Sequence, residues 1–171
     1  MNAMKEIKLE KVTLNIGVGG DANKLDKSMK LLQAITNSKP VKTVTYKRIP
    51  TWGVRPGLPI GCMVTIRGKK AEEMLIRLFA SVANKLNYKK FDNHGNLSFG
   101  IKEYIDIPGV KYDADLGIIG LEAAITLKRA GFRIKNRKIR KKKIPTKHKI
   151  PKEESMNFVK EKFGVSLIEG E

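Results

Sequence analysis

The side chains that could carry out catalytic chemistry are few and lie far apart in the sequence. The two histidines, His94 and His148, have no Cys or second His at the spacing of a metal site. Cys62 is the single cysteine, so no disulfide can form within the chain, and it lies on the apolar side of a predicted strand. No nucleophile, base and oxyanion-binding group come together in this pattern. The sequence therefore predicts a protein that is not an enzyme and that uses no metal and no cofactor.

A glycine-rich segment leaves one enzymatic alternative, a nucleotide-binding site. Residues 17–22, Gly-Val-Gly-Gly-Asp-Ala, match the pattern G-x-G-x-x-A between a predicted strand and a predicted helix. No acidic residue that could bind a ribose lies between Asp26 and Glu72, and Asp21 puts a negative charge where phosphates would bind. A structural turn between strand and helix is the favoured interpretation, and a backbone contact to RNA is the next.

The distribution of charge indicates a polyanionic partner. The 171 residues carry 35 Lys and Arg against 17 Asp and Glu, a formal net charge of +18. Two stretches, 27–71 and 123–152, contain 23 of these basic residues and no acid. Because like charges repel in a compact protein, such segregation favours nucleic acid as the partner. A membrane is the weaker candidate, since no apolar run approaches the roughly 20 residues of a membrane span. With no signal-peptide pattern at residues 1–11 and a lone cysteine, we expect a cytoplasmic protein.

The elements that position these residues follow from the periodicity of the apolar side chains. Several strands without regular helical crossovers predict an α+β fold, a two-layer sandwich whose sheet is mixed or mainly antiparallel with helices packed on one face. We expect one α+β domain over 1–130 and a basic C-terminal arm with a short helix over 131–171. Predicted strands cover 12–18, 41–46, 60–67, 97–102 and 121–127, and predicted helices run from the N-cap Asp21 to a stop at Pro40, over 70–86, and over 152–163 before Gly164.

Three regions could contact RNA, each with a simpler alternative. Thr65 and Arg67 share one face of their strand and could bind phosphate or ribose oxygens, or could simply be solvated. Trp52, in the loop 47–59, could stack on a base or fold back over the edge of the core. The basic run 133–152 is too charged and too proline-interrupted to join the core. Its interspersed isoleucines and prolines favour an extended arm ordered on RNA over a disordered tail.

Several motifs in a fixed order connect this chain with a known family. They are L-N-I-G-V-G at 14–19, K-P at 39–40, R-P-G-L-P-I-G-C-M-V-T-I-R-G at 55–68, D-N-H-G-N-L-S-F-G-I-K-E at 92–103 and I-P-G-V at 107–110. Over residues 7 to about 130 the chain closely resembles the universal large-subunit ribosomal protein five family, which binds 5S ribosomal RNA. The basic arm followed by K-E-E is typical of the archaeal and eukaryotic branch, and the archaeal one is favoured.

The resemblance implies a place in the central protuberance of the large subunit. Implied partners are 5S RNA, 23S-type RNA, peptidyl-site tRNA, and neighbouring proteins of the central protuberance and of the small-subunit head. The predicted 5S contacts are Asn15, Gly17, Lys39, Lys42, Thr65 and Arg67. The predicted tRNA-facing residues, in the loop 47–59, are Lys47, Arg48, Trp52 and Arg55. The predicted arm contacts are Arg133, Lys135, Arg137, Lys138, Arg140, Lys141, Lys142 and Lys143. A general nucleic-acid chaperone acting through the arm alone is the third hypothesis.

Overall fold

The computed structural model describes residues 2–168, which form a five-stranded sheet, a two-stranded sheet and four helices. The elements are β1 Ile7–Gly17, α1 Ala22–Thr36, β2 Val41–Val44, β3 Pro59–Ile66, α2 Lys69–Ser81, β4 Lys85–Asn87, β5 Leu97–Ile101, β6 Leu121–Arg129, α3 Arg133–Asn136, α4 Lys152–Phe163 and β7 Ser166–Ile168. The strand order is β2-β3-β1-β6-β5 in the larger sheet, and β4 and β7 form the smaller one. The predicted α+β class, with a mainly antiparallel sheet, is confirmed.

The chain divides into two compact units. One comprises Thr13–Ile66 and Phe99–Ala124, and we call it the sheet unit. The other comprises the described residues of 1–12, 67–98 and 125–171, and we call it the arm unit. The strands β1, β5 and β6 contribute residues to both. The predicted division at residue 130 is a different one and stays a prediction.

In the sheet unit, α1 packs against β3 through the face that the alternation predicted to be apolar. Cys62, Val64 and Ile66 of β3 are buried, as are Leu25 and Leu32 of α1. Asp21 caps α1 as predicted, because its side chain accepts hydrogen bonds from the backbone N–H groups of residues 23 and 24. The helix ends earlier than expected. Asn37 adopts the left-handed conformation, with φ of 48°, and its N–H donates to the carbonyl of residue 33, so α1 stops before Pro40 is reached.

In the arm unit, α2 is shorter than predicted. The helical stripe of apolar residues extends to Leu86, but α2 ends at Ser81, because Ala83 and Asn84 both have φ of 54°, outside the helical region. Leu86 is buried, but it lies in β4, which pairs in parallel with β7. The last helix, α4, has its predicted bounds, and Gly164 ends it with φ of 64°.

The basic run is fastened to the arm unit near its end. Ile150 is 1% exposed, so the expectation that nothing in this run joins the core is wrong at this residue. A side chain at Gly95 would meet Ile150, since a Cβ built there lies 2.7 Å from its Cγ2. Arg129, itself 5% exposed, donates to the carbonyl of Lys149 at 3.0 Å and pairs with Glu154. Gly95 leaves room for the side chain of Ile150, and Arg129 holds the adjacent backbone at Lys149.

Candidate nucleic-acid interface

One face of β1 and β3 in the sheet unit carries no apolar core. Strand side chains alternate between faces, and Leu14, Ile16, Cys62 and Val64 occupy the buried side. We call the opposite side the outer face. Its residues are half-buried or exposed and so accessible to a ligand, except Gly61, which is buried. The outer face is made by Asn15, Gly17, Gly61, Met63 and Thr65.

The two glycines of the outer face differ in how much space surrounds them. A Cβ on Gly61 would lie 2.6 Å from the carbonyl oxygen of Ile16 and 2.9 Å from Oγ1 of Thr43, so close strand packing requires its absence. A Cβ on Gly17 would meet no atom within 4 Å. The fold therefore tolerates alanine at Gly17, and the open space there would let a ligand approach the backbone closely.

The other predicted 5S contacts are placed differently from one another. Arg67 is exposed directly after β3, and Lys39 is exposed between α1 and β2. Lys42 lies opposite Cys62 in the antiparallel register, which puts it on the helix-facing side, and its Nζ lies 3.5 Å from Oδ1 of Asp26 in α1. The structure therefore brings Asn15, Gly17 and Thr65 together on one face and leaves Lys42 on the other.

The loop 47–59 forms a hydrogen-bonded hairpin with an aromatic residue at its tip. Ile49 and Val54 form an antiparallel bridge, and Gly53 turns the chain between them with φ of 64°. At the base of the loop, the N–H of Gly57 donates to the carbonyl of Thr45 at 2.8 Å. Trp52 is 77% exposed at the tip, so the alternative in which it folds back over the core is wrong.

The loop also has features that sequence analysis missed or left open. Tyr46 is 88% exposed beside it. The sequence predicts a strand over 41–46 that would include Tyr46, but β2 ends at Val44, and nothing local in the sequence marks that end. The three predicted cations of this loop, Lys47, Arg48 and Arg55, are all exposed. The loop and the adjacent Tyr46 thus present two exposed aromatic rings among three positive charges.

The basic arm begins with one turn of helix, α3, and its backbone is then irregular up to a short 3-10 helix at Thr146–His148 that precedes α4. Lys135 is half-buried with its Nζ 5.3 Å from the ring centre of Phe132, a cation–π contact. Nε of Arg137 donates to the carbonyl of Arg140 at 2.8 Å. The remaining predicted cations of the arm present their charge to solvent. They are Arg133, Lys138, Arg140, Lys141, Lys142 and Lys143.

The two histidines have local structural partners. Nε2 of His148 lies 2.8 Å from the carbonyl oxygen of Ala130, and the His148 ring packs edge-on against Phe132. The backbone N–H of His94 donates to the carboxylate of Asp92 at 2.8 Å. His94 also lines a cavity of about 620 Å³, but the other lining residues include no Cys, Asp or Glu, so no thiol or carboxylate partner for its ring lies there.

Groups suited to catalysis or metal binding do not assemble in the described residues. Burial raises the pKa of the Cys62 thiol to about 11, so it is protonated near neutral pH. No group of three His, Cys, Asp or Glu side chains within 2–168 could hold a metal ion. The first backbone amides of α1 are already bonded to Asp21, which opposes a pyrophosphate at that helix end. In the same part of the chain, no helix is long and apolar enough to cross a membrane.

Comparison with known proteins gives a consistent result along the chain. A family model for ribosomal protein L5 matches residues 2–55, and a second model, for the C-terminus of the same ribosomal protein family, matches residues 59–158. The chain is 48% identical over 171 residues to the large ribosomal subunit protein uL5 of Sulfurisphaera tokodaii, covering 99% of this chain and 97% of that protein. It is 48% identical over 166 residues to uL5 of Nanoarchaeum equitans, covering 96% and 98%. With uL5 of Methanosphaera stadtmanae it shares 43% over 167 residues, covering 98% and 99%.

Proposed function

Because the chain belongs to the ribosomal protein L5 family, whose members are structural proteins of the large ribosomal subunit, we propose that it binds 5S ribosomal RNA through the outer face of its sheet. Membership confirms the predicted family, its archaeal type and the prediction that the chain is not an enzyme. It also gives the ribosome as the location and ribosomal RNA as a partner. The identity of the RNA and the residues that bind it are the proposal.

The observation that carries the proposal is the accessible polar strip of the outer face. Asn15 offers an amide, Thr65 offers a hydroxyl, and Gly17 leaves space for a sugar-phosphate backbone. Arg67 follows β3 directly and is exposed, so its guanidinium is available for a bidentate contact to phosphate. Lys39 and Lys42 add positive charge, Lys42 from the edge strand rather than from the outer face. In this proposal, 5S RNA is anchored in the central protuberance by contacts with this strip.

We further propose that the loop 47–59 contacts the peptidyl-site tRNA. An exposed indole on a hydrogen-bonded hairpin can stack on a base or ribose with little loss of conformational freedom, and the loop's cations suit the adjacent phosphates. The basic arm, with no acid between 123 and 152, is proposed to bind 23S-type RNA. Contacts with neighbouring proteins of the central protuberance and the small-subunit head complete the proposed partners.

The 5S proposal is tested by equilibrium binding of the full chain to 5S RNA and to an unrelated structured RNA across a salt series. We expect a preference for 5S RNA that persists at high salt. Added salt reduces the counterion-release contribution to binding by a similar amount for both RNAs, whereas contacts specific to the shape of 5S RNA do not depend on counterion release. Equal affinity for both RNAs, falling together as salt rises, would contradict it and favour a chaperone acting through the arm.

Two substitutions test the outer face. Arg67→Ala is expected to weaken 5S binding by roughly 1.5–3 kcal/mol, since it removes a charge-assisted hydrogen bond. Gly17→Ala is expected to weaken it without lowering stability, because its methyl group meets no protein atom within 4 Å. The controls are Lys160→Ala, an exposed cation of α4, and Gly100→Ala, an open glycine of β5. If the variants bind like their controls, the outer face is not the 5S site.

The tRNA proposal needs assembled ribosomes. Ribosomes reconstituted with Trp52→Ala are expected to bind peptidyl-site tRNA more weakly by about 1–3 kcal/mol, the range of one lost stacking contact. Trp52→Phe keeps an aromatic ring and should retain most of the affinity. The 5S affinity of the free protein should be unchanged in both variants. If ribosomes with Trp52→Ala and ribosomes with the original protein bind tRNA equally well, the proposal that the loop contacts tRNA through Trp52 is wrong.

A further inference from the structure

The basic arm is a closed loop whose two ends lie side by side. The ring of Phe132, which precedes α3, packs edge-on against the ring of His148, with 5.7 Å between the ring centres. Nε2 of His148 also lies 2.8 Å from the carbonyl oxygen of Ala130. Because Ala130 directly follows β6, the chain leaves the end of this strand and returns to it. We call residues 133–147 the arm loop.

Hydrogen bonds within the arm loop give it a defined shape. The backbone N–H of Lys142 donates to the carbonyl of Ile134 at 3.3 Å, which joins the two sides of the loop. Closer to the tip, Nε of Arg137 donates to the carbonyl of Arg140 at 2.8 Å, and Arg140 has φ of 51°. A left-handed backbone is uncommon in a residue with a side chain, so this turn is a specific one. The cations of the loop are therefore displayed on a folded backbone.

A buried ion pair fastens the returning end of the arm loop. Arg129, the last residue of β6, is 5% exposed and pairs with Glu154 in the first turn of α4. Its Nη1 also donates to the carbonyl of Lys149 at 3.0 Å. Because a buried charge left without its partner destabilises a protein strongly, the folded chain keeps this pair closed, and with it the end of the loop. We call Arg129, His148 and Glu154 the clasp.

Between its ends, the arm loop is separated from the rest of the arm unit by the cavity of about 620 Å³ that His94 lines. Lys135, Lys143 and Thr146 line this cavity from the loop, and Leu127 lines it from β6. Packing along the length of the loop therefore contributes little to its position. That position depends on how the ends of the loop are held.

We propose that the clasp preorganises the arm loop for RNA, with Arg129, His148 and Glu154 as positioning residues that need not touch the RNA. A loop whose ends are held has less conformational freedom to lose when its cations bind phosphates, so it binds more tightly than a free loop of the same charge. The inference rests on the proposed binding of RNA by the basic arm. It adds that an acidic residue, Glu154, strengthens the binding of a polyanion.

The direction of the effect at Glu154 tests the proposal. Removing an acid ordinarily strengthens attraction to a polyanion, so Glu153→Ala, at the exposed neighbour, should leave RNA affinity unchanged or raise it by up to about twofold. Glu154→Ala removes the same charge from the same turn of α4 but opens the clasp, and it should lower affinity about three- to tenfold. The experiment uses the full chain and an unrelated structured RNA. If Glu154→Ala binds this RNA as tightly as Glu153→Ala, or more tightly, the clasp does not position the arm.

His148→Ala opens the clasp without removing either member of the buried ion pair. It deletes the contact with Phe132 and the contact with the carbonyl of Ala130. Affinity for the same RNA should again fall, by about two- to fivefold. This variant decides the question if Glu154→Ala does not fold, and an affinity equal to that of the original chain would overturn the proposal.

A double-mutant cycle separates positioning from general destabilisation and from direct contact with RNA. The background variant converts to glutamine the arm cations that face solvent, Arg133, Lys138, Arg140, Lys141, Lys142 and Lys143. In this background the clasp has few charges left to position, so Glu154→Ala and His148→Ala should each change RNA affinity by less than about twofold. The same loss of affinity in both backgrounds would show that these residues act through overall stability or touch RNA themselves, and would overturn the proposal.

Hydrogen exchange in the free protein measures the position of the loop directly. The backbone N–H groups of Lys142 and Lys149 donate within the arm, to the carbonyls of Ile134 and Thr146. In Glu154→Ala both amides should exchange about tenfold faster, because the loop opens locally, while amides of β6 keep their original rates. A loss of RNA affinity without faster exchange in the loop would contradict preorganisation.

The outcomes distinguish the clasp from the proposed function. If the original chain shows no preference for 5S RNA, the proposed 5S recognition fails, but the comparison of Glu154→Ala with Glu153→Ala still decides the clasp, since its probe is an unrelated RNA. If the background variant binds that RNA as tightly as the original chain, the arm does not bind RNA, and the inference is wrong together with the arm's proposed role.

Discussion

Asp92 shows how one side chain organises a turn of the arm unit. Its Oδ1 accepts hydrogen bonds from the backbone N–H groups of His94 and Asn96, and its Oδ2 accepts one from Nδ2 of Asn96. Burial alone would raise the pKa of this carboxyl, but these hydrogen bonds and the nearby His94 outweigh it, so the pKa lies below its ordinary value. The turn holds Gly95 where Ile150 of the arm packs, so it connects a local hydrogen-bond pattern to the position of the arm.

The lowered pKa of Asp92 predicts acid-sensitive stability. A carboxyl whose pKa is depressed by folding stabilises the protein above its unfolded pKa of about 3.9, and this contribution is lost as pH falls through the folded pKa. Asp92→Ala should therefore reduce the free energy of unfolding by roughly 1 kcal/mol at pH 7. Urea unfolding at pH 7 and pH 3 would check this, and the gap should narrow at pH 3. Asp106→Ala, at another exposed aspartate, should show no comparable change, and a gap that is the same at both pH values would contradict the mechanism.

For single residues, the sequence predicted which side chains are buried or exposed better than it predicted which residues they contact. Alternation placed Thr65 on the outer face and Cys62 inside, as found, because a strand's faces follow directly from its period of two. Lys42 was grouped with Thr65, but its face depends on the register with β3, which no local pattern reveals.

Among the elements, β3 depends on close strand packing at Gly61. Gly61→Ala should reduce the free energy of unfolding by about 1–3 kcal/mol, since its Cβ would press on the carbonyl of Ile16 and on Thr43. Gly100→Ala in β5 is the matched control, because it meets nothing within 4 Å and should be neutral or slightly stabilising. Chemical denaturation compares the two variants. Equal changes in the free energy of unfolding for the two variants would show that the strands can move apart at Gly61 without loss of stability.

The connection between the arm and the turn at Gly95 predicts local loosening without global unfolding. Gly95→Ala adds a methyl group 2.7 Å from Cγ2 of Ile150, so the run 143–150 should detach and be cleaved by trypsin about tenfold faster. Gly164→Ala imposes the same strain of a positive φ, at 64°, but meets no neighbour within 4 Å. Unchanged arm cleavage in Gly95→Ala, or equal acceleration in Gly164→Ala, would show that Ile150 does not anchor the arm.

Elements marked by local signals were predicted well, and elements defined by distant pairing were not. The helix α4 has its predicted bounds because Pro151 precedes it, two glutamates open it and Gly164 ends it. The predicted helix over 70–86 extended too far because its apolar stripe continues through Val82 to Leu86. The chain instead leaves the helix at Ala83 and Asn84 and pairs Leu86 with Leu167, about eighty residues away, a partner that helical periodicity cannot indicate.

At the scale of the whole molecule, general attraction to RNA and selection of one RNA depend on different groups. A net charge of +18 gives a large sequence-independent attraction to any RNA, and the acid-free stretches concentrate it. In the proposed function, specific recognition comes from groups with defined geometry, namely the outer face and the hairpin of Trp52. The arm cations 140–143 are exposed on irregular backbone, so they are expected to supply attraction without selecting the RNA.

This division can be measured with one variant that converts Arg140, Lys141, Lys142 and Lys143 to glutamine. Because each phosphate contact adds about 0.7 to 0.9 to the salt dependence of binding, the slope of log affinity against log salt should fall by up to about 3.6 for both 5S and unrelated RNA. The ratio of the two affinities at a given salt concentration should stay within about twofold, since both lose the same contacts. A fall in that ratio to one would mean that the arm selects 5S RNA, and that the folded sheet contributes attraction only.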